Sequence, residues 1–282
     1  MSQQDPRGPA SQPRSPQEME AIAKRLRRHI VTMIGQAGSG HPGGSLSCVE
    51  ILTALFLGVM RVDPQDPCYP DRDRFILSKG HAAPALYATL AERGFFPAEE
   101  LLTLRKMGSR LQGHTDMTCT PGVEMNSGSE GLGLSFGIGQ ALAGRLDGKP
   151  YRVYVLLGDG ECQEGQVWEA ALFAHHHKLD NLTAVVDRNR IQLSGFTEDI
   201  IALDPLKEKW QAFGWQALEV DGHSFPQLFQ ALEVARSTRG RPTVIIARTV
   251  KGKGVSFMEN NPEFHGKPPT PAELEQALKE LA

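Results

Sequence analysis

Cysteine is scarce in this chain. Its four residues, Cys48, Cys68, Cys119 and Cys162, show no metal-type spacing. A chain of 282 residues is long enough to bury a core without a disulfide framework, so reduced thiols in a cytoplasm are expected. A large excess of either charge is also missing. The formal net charge of −3 implies no general affinity for nucleic acid. No apolar run approaches the roughly 20 residues that a bilayer span requires, so no membrane association is expected. The N-terminal stretch is rich in Pro, Ser, Gln and Arg and lacks the apolar segment of a secretory signal. Residues 1–15 therefore read as a disordered tail, ahead of one domain over 16–282. No internal repeat is found.

What the chain does have is alternation of strand-like and helix-like segments. Met19, Ile22, Leu26, Ile30 and Met33 recur at helical spacing from Ser15-Pro16 to Gly35. Further helices are expected over 48–57, 82–92, 99–107, 134–146, 165–178, 206–213 and 226–236. Strands are expected at 74–77, 151–157, 182–186, 216–220 and 243–248. This order predicts an α/β fold, a mostly parallel sheet with helices on both faces. Ligands in such folds sit beyond the carboxyl ends of the strands. Residues 113–133 form a polar, glycine-rich stretch, and a loop that long inside a compact domain is usually functional.

Two triplets follow apolar runs: Gly158-Asp159-Gly160 after 151–157, and Asp187-Arg188-Asn189 after 182–186. The spacing from Asp159 to Asn189 suits a parallel crossover unit. Two oxygen-bearing side chains at one sheet edge can share a hard cation, Mg²⁺ or Ca²⁺, whose shell is usually completed by phosphate oxygens. Gly-Asp-Gly alone is a weak signal, because turns after strands use the same residues.

Four histidines sit beside glycines in expected loops: His41, His81, His114 and His265. A lone loop histidine is more often a solvated bystander. Four in this setting point to a shared pocket, and imidazoles suit chemistry on hydroxyl and carbonyl groups. His175-His176-His177 reads as helix surface and packing, since consecutive helical residues point about 100° apart. Glu164 reads as a first-turn acid favoured by the helix dipole. Lys251 and Lys253 are either at the site or in a solvated loop. Asp199, Asp204 and Lys207 read as surface charges.

Taken together, Ser39-Gly40-His41-Pro42-Gly43-Gly44, Leu77-Ser78-Lys79-Gly80-His81-Ala82, Gly113-His114, Gly158-Asp159-Gly160, Lys178-Leu179-Asp180-Asn181-Leu182 and the run 249–258 resemble transketolase, in the same order. The match is to the N-terminal, diphosphate-binding part, and looks like the separately encoded subunit of split transketolases. The resemblance implies thiamine diphosphate as cofactor, with Asp159, Asn189 and the carbonyl of Ile191 ligating the metal. It places Gly158, Gly160, Gly131 and Glu164 at the cofactor, and makes membership of an acidic network the other reading of Glu164. It puts His41 and His81 at the thiazolium and diphosphate, with His81 touching phosphate. His114 would contact the donor sugar near its C1 hydroxyl and carbonyl, and His265 would serve the same donor end and the diphosphate. His41, His114 and His265 are thus the implied catalytic set, for proton handling or oxyanion contact.

The chain departs from the family at Glu130, where a leucine commonly packs beside the cofactor rings, and at Leu132, where glutamine is common. A carboxylate is costly to bury unpaired, so Glu130 points outward, pairs with a basic group or tunes the donor pocket. The family's activating glutamate lies in a pyrimidine-binding domain, and no second strand–helix array follows in this sequence. The expectation is therefore a separate partner subunit carrying that domain, in an α2β2 assembly. Sugar phosphates would be the substrates, exchanging a two-carbon ketol unit. The alternatives are a subunit of another thiamine diphosphate-dependent synthase or lyase, and a non-catalytic subunit that keeps the fold.

Overall fold

The computed structural model describes residues 15–282. The expected tail lies outside the described residues except for Ser15, which caps the first helix. That helix, α1 (Pro16–Ala37), starts with a capping box between Ser15 and Glu18 and with Pro16 in its first turn. It buries the apolar stripe read from the sequence, Met19 through Met33, and extends past Gly35 to a left-handed cap at Gly38.

Five strands form one parallel sheet in the order β1-β2-β3-β7-β6. They are β1 (Arg74–Leu77), β2 (Val153–Gly158), β3 (Leu182–Arg188), β6 (Gln216–Asp221) and β7 (Thr243–Arg248). The strands between the two edges are buried on both faces. On β2, Val153, Val155 and Leu157 enter one apolar cluster, while Tyr154 and Leu156 enter the other. The first cluster is built with α5 (Gly133–Leu146), α6 (Gly165–His176) and α8 (Leu206–Ala212). The second is built with α1, α3 (Val49–Ala54), α4 (Ala83–Arg93), α9 (Phe225–Ser237) and α10 (Pro271–Glu280). This is the sheet with helices on both faces that the alternation predicts.

Several elements differ from the sequence expectation. The glycine-rich stretch after His41 winds into a short helix, α2 (Pro42–Ser47), because every residue of it is buried against the site. The segment expected as one helix over 48–57 is α3 followed by a π turn at Leu55–Val59. The helix expected at 99–107 is a 3₁₀ turn, Ala98–Thr103. A 3₁₀ turn over Gly160–Gln163 precedes α6, which starts at Gly165. A small antiparallel hairpin, β4 (Ile191–Gln192) with β5 (Gly195–Phe196), precedes a single-turn α7 (Thr197–Ile200).

Candidate functional site

The register of the sheet places the site. Gly158 at the end of β2 pairs with Asp187 on β3, and Arg188 pairs with Arg248 at the end of β7. Three strand ends thus deliver Asp159, the segment 187–189 and the loop starting at Thr249 to one edge. A cavity of about 290 Å³ opens there. Among the residues predicted from sequence, His81, Gly158, Asp159, Gly160, Glu164, Asn189, Ile191 and His265 line it. His41 and His114 stand beside it. The ring centroid of His41 lies 5.5 Å from that of His81, 5.6 Å from His265 and 6.2 Å from His114. The four loop histidines therefore do share one mouth. Their approach depends on glycine at 44, where a Cβ would lie 2.9 Å from His81 Nε2. By contrast, His175, His176 and His177 are exposed at the end of α6, as helix surface was expected to be.

Two lysines line the cavity, Lys79 with no role assigned from sequence and Lys251 with an open one. Lys79 is fully buried and pairs with Asp187, while also donating to the carbonyl of Gly44 at 2.9 Å. Asp187 accepts further from Ser47 at 2.6 Å, from Asn189 Nδ2 at 3.1 Å and from Thr249. Burial pushes the Asp187 carboxyl up, but the Lys79 charge and these hydrogen bonds outweigh it and hold it below the usual range. Lys251 is buried, not solvated. Its Nζ donates to the carbonyl of Ile191 at 2.6 Å and lies 2.8 Å from His265 Nδ1. Burial and the nearby Lys79 charge lower Lys251 to about 8. Lys253 is half-exposed, 3.5 Å from Glu259.

The histidines are held neutral by the same surroundings. Burial, then Arg105, His114 and Lys251, lower His41 to about 4. Burial and then Lys251 lower His265 to about 2. His81 is pushed well below its ordinary value by burial, Lys79 and Lys251, and His114 is lowered by burial and Arg105. Neutral rings can accept a proton or donate one N–H, which is what chemistry at a hydroxyl or carbonyl needs.

The three expected metal ligands converge, and each oxygen is engaged within the chain. Asp159 accepts from Gly160 N–H at 2.8 Å and from Arg190 N–H, with Arg188 Nη1 at 3.2 Å. Asn189 Oδ1 accepts from Ile191 N–H at 3.1 Å, and the Ile191 carbonyl accepts from Lys251. Burial and the Asp187 charge raise the Asp159 carboxyl, with Arg188 opposing. Among the described residues no group of three or more His, Cys, Asp or Glu is arranged to hold a metal; the expected set contains a single carboxylate. The residues nevertheless suit a metal–diphosphate group. The Lys79 and Lys251 ammonium groups line the base, and among the described residues His41 Nδ1 and the acceptor Gln192 Oε1, which suits a cation, are buried with no partner.

Sequence reasoning missed Glu161. Its carboxylate accepts from Gly131 N–H at 2.8 Å, from Gly158 N–H at 2.9 Å and from Ser78. It thereby ties the glycine-rich loop to the ends of β1 and β2. Gly131 does not line the cavity, but its φ of +88° makes the turn that presents Glu130. Glu130 lies at the cavity with its Oε1 3.1 Å from His81 Nδ1 and its side chain 40% exposed. That is the pairing alternative among those open from the sequence. Glu164 is the exposed N-cap of α6 and makes no side-chain capping bond.

Residues 18–282 match the family model for the thiamine diphosphate-binding domain of transketolase. The chain belongs to the transketolase family. Within it, the chain is 46% identical over 265 residues to an apulose-4-phosphate transketolase subunit of Actinobacillus succinogenes, covering 94% of this chain and 96% of that protein. It is 44% identical over 264 residues to a 6-deoxy-6-sulfo-D-fructose transketolase subunit of Clostridium sp. (strain MSTE9), covering 94% and 96%. The crystal structure of transketolase from Campylobacter jejuni superposes with a TM-score of 0.89 at 31% identity. That match covers 95% of this chain and 43% of the other, so the chain spans under half of that solved transketolase. The α/β fold and the transketolase resemblance read from the sequence both stand.

Proposed function

We propose that this chain is the diphosphate-binding subunit of a two-chain transketolase. With a partner supplying the pyrimidine-binding domain and its activating glutamate, it transfers a two-carbon ketol unit from a ketose to an aldose. The observation that carries this reading is one cavity lined by Asp159, Asn189 and Ile191 together with His81 and His265, with His41 and His114 beside it. The partner is supported by the relatives named as subunits, nearly all of whose length this chain matches. Their named sugars carry a sulfonate or a phosphate, and a ketose with an anionic far end is the substrate class we assign.

Thiamine diphosphate, when bound, supplies the thiazolium carbon nucleophile and the electron sink for carbon–carbon cleavage. Asp159, Asn189 and the Ile191 carbonyl would hold Mg²⁺ or Ca²⁺ against its diphosphate. Lys251, which here donates to the Ile191 carbonyl, would offer its ammonium to a phosphate oxygen. Lys79 keeps Asp187 ionised and the base of the site fixed. His81 lines the cavity with its Nδ1 against Glu130. His41 and His114, neutral near pH 7, stand where a donor hydroxyl can lose a proton or a carbonyl oxygen can accept an N–H. His265, held by Lys251, sits beside His41 and His81.

The test is reconstitution with the partner subunit. A ketose phosphate with an aldose acceptor should be turned over, while pyruvate should not, and the chain alone should be inactive. Asp159→Ala in the complex should weaken metal-dependent cofactor binding by about 10-fold or more. Turnover of pyruvate in place of the ketose would assign the complex to another thiamine-dependent class. Unchanged activity and cofactor affinity in Asp159→Ala would favour a non-catalytic subunit.

A further inference from the structure

Behind the loop that carries Lys251 lies a buried network that does not line the cavity. Arg27 on α1 makes a bidentate pair with Glu50 on α3, at 2.7 and 2.8 Å. The same Glu50 carboxylate lies 2.9 Å from His223 Nδ1. His223 sits in the turn between β6 and α9, held by its own N–H on Asp221 at 2.9 Å. Its other ring nitrogen, Nε2, accepts the backbone N–H of Val250 at 2.9 Å. Arg27 Nε closes the circuit by donating to the carbonyl of Lys253 at 2.9 Å.

We propose that His223, backed by Glu50 and Arg27, is a positioning residue that clamps the 250–253 loop and so sets Lys251 in the active site. The two attachment points, Val250 and Lys253, flank Lys251 on either side. Between them the lysine side chain reaches the Ile191 carbonyl and His265. The hydrogen bonds also fix the ring's chemistry. Nε2 accepts from a backbone N–H and must carry the lone pair, so Nδ1 carries the proton and donates it to Glu50. Both nitrogens are thus committed, and His223 is not free to act as a base on substrate. Glu50 in turn is kept ionised: burial pushes it up, but His223 and Arg27 bring it down to about 2.

The clamp stands on the geometry alone, whereas its consequence for cofactor binding rests on the function proposed above. The experiment therefore has two readouts that need no cofactor. In the full chain labelled with ¹⁵N-histidine, the His223 signal, identified by its loss in His223→Gln, should show the Nδ1–H tautomer. Hydrogen exchange at Val250 should be protected in the wild type, faster in His223→Leu and slowed again in His223→Gln, whose amide oxygen can accept in place of Nε2. In the Mg²⁺-containing complex with the partner, His223→Leu should weaken thiamine diphosphate binding by about 10-fold or more, as loss of an outer-shell partner does. His223→Gln should restore most of that affinity. An Nε2–H tautomer overturns the proposal. So does unchanged exchange at Val250 in a folded His223→Leu, or equal loss of affinity in both variants. If no variant, and not the wild type, binds the cofactor, the functional assignment fails while the tautomer and exchange data still judge the clamp.

Discussion

Asp187 shows how one buried group can organise a site without lining it. It receives Lys79, Ser47, Asn189 and Thr249, so it couples β1, α2, β3 and the loop after β7. Asp187→Ala leaves the Lys79 ammonium buried without its counter-charge. The cost of breaking such a pair from one side is about 3–5 kcal/mol, and denaturant unfolding of the full chain should show a loss of that order. Glu130 is a softer case, since it is 40% exposed and its contact is with a neutral ring. Glu130→Gln should leave the unfolding free energy within about 0.5 kcal/mol of the wild type, as exposed substitutions do, while shifting the KM for the donor in the reconstituted complex. At this scale the sequence was readable where a residue's neighbours are local. Asp159 and Asn189 were identifiable because each follows a strand. Lys79 and Glu161 were not: their partners lie 108 and 83 residues away in sequence, at Asp187 and Ser78.

Elements pack here with little spare room at glycines. The N-terminus of α5 lies so close to β1 that a Cβ at Gly133 would sit 2.4 Å from Ser78 Cβ and 2.8 Å from its Cα. Ser78 also accepts the Gly133 N–H at 3.1 Å and bonds to Glu161. Gly133→Ala should therefore cost about 1–3 kcal/mol by overpacking, read as a lower Tm. It should also loosen the glycine-rich loop, read as faster hydrogen exchange at Gly131. Helical spacing and the strand runs placed most elements to within a few residues. The misses have two causes. The short α2 lies where burial against the site, and the π turn after α3 where burial in the apolar core, rather than local propensity, selects the backbone. The β4–β5 hairpin is two residues per strand, too short for any periodicity to register.

For the molecule as a whole, the buried neutral histidines predict a pH dependence. His265 at about 2 and His41 at about 4 lie below the ordinary imidazole value of 6.5. As pH falls below that value the unfolded chain binds protons that the folded chain does not, so stability is lost with acid. Glu161 works the other way: burial raises it to about 7, so the folded state holds a proton that the unfolded state gives up, and acid favours the fold through this group. The difference between variants isolates the histidine contribution. Over the interval from about pH 7 to about pH 5, His265→Gln should lose less Tm than the wild type.

Fold class, family and the strand-end triplets were legible in the order of residues alone, because hydrophobic period and turn chemistry are local properties of the chain. So was the setting of four histidines in loops beside glycines. It took the folded chain to establish that these rings share one mouth, that Lys251 is buried beside His265, and that Glu130 meets His81. Folding also made Asp187, Glu161 and His223 visible as the groups that hold the site together. A parallel sheet brings together strand ends far apart in sequence, and the hydrogen bonds and charge pairs formed there have no periodicity to betray them.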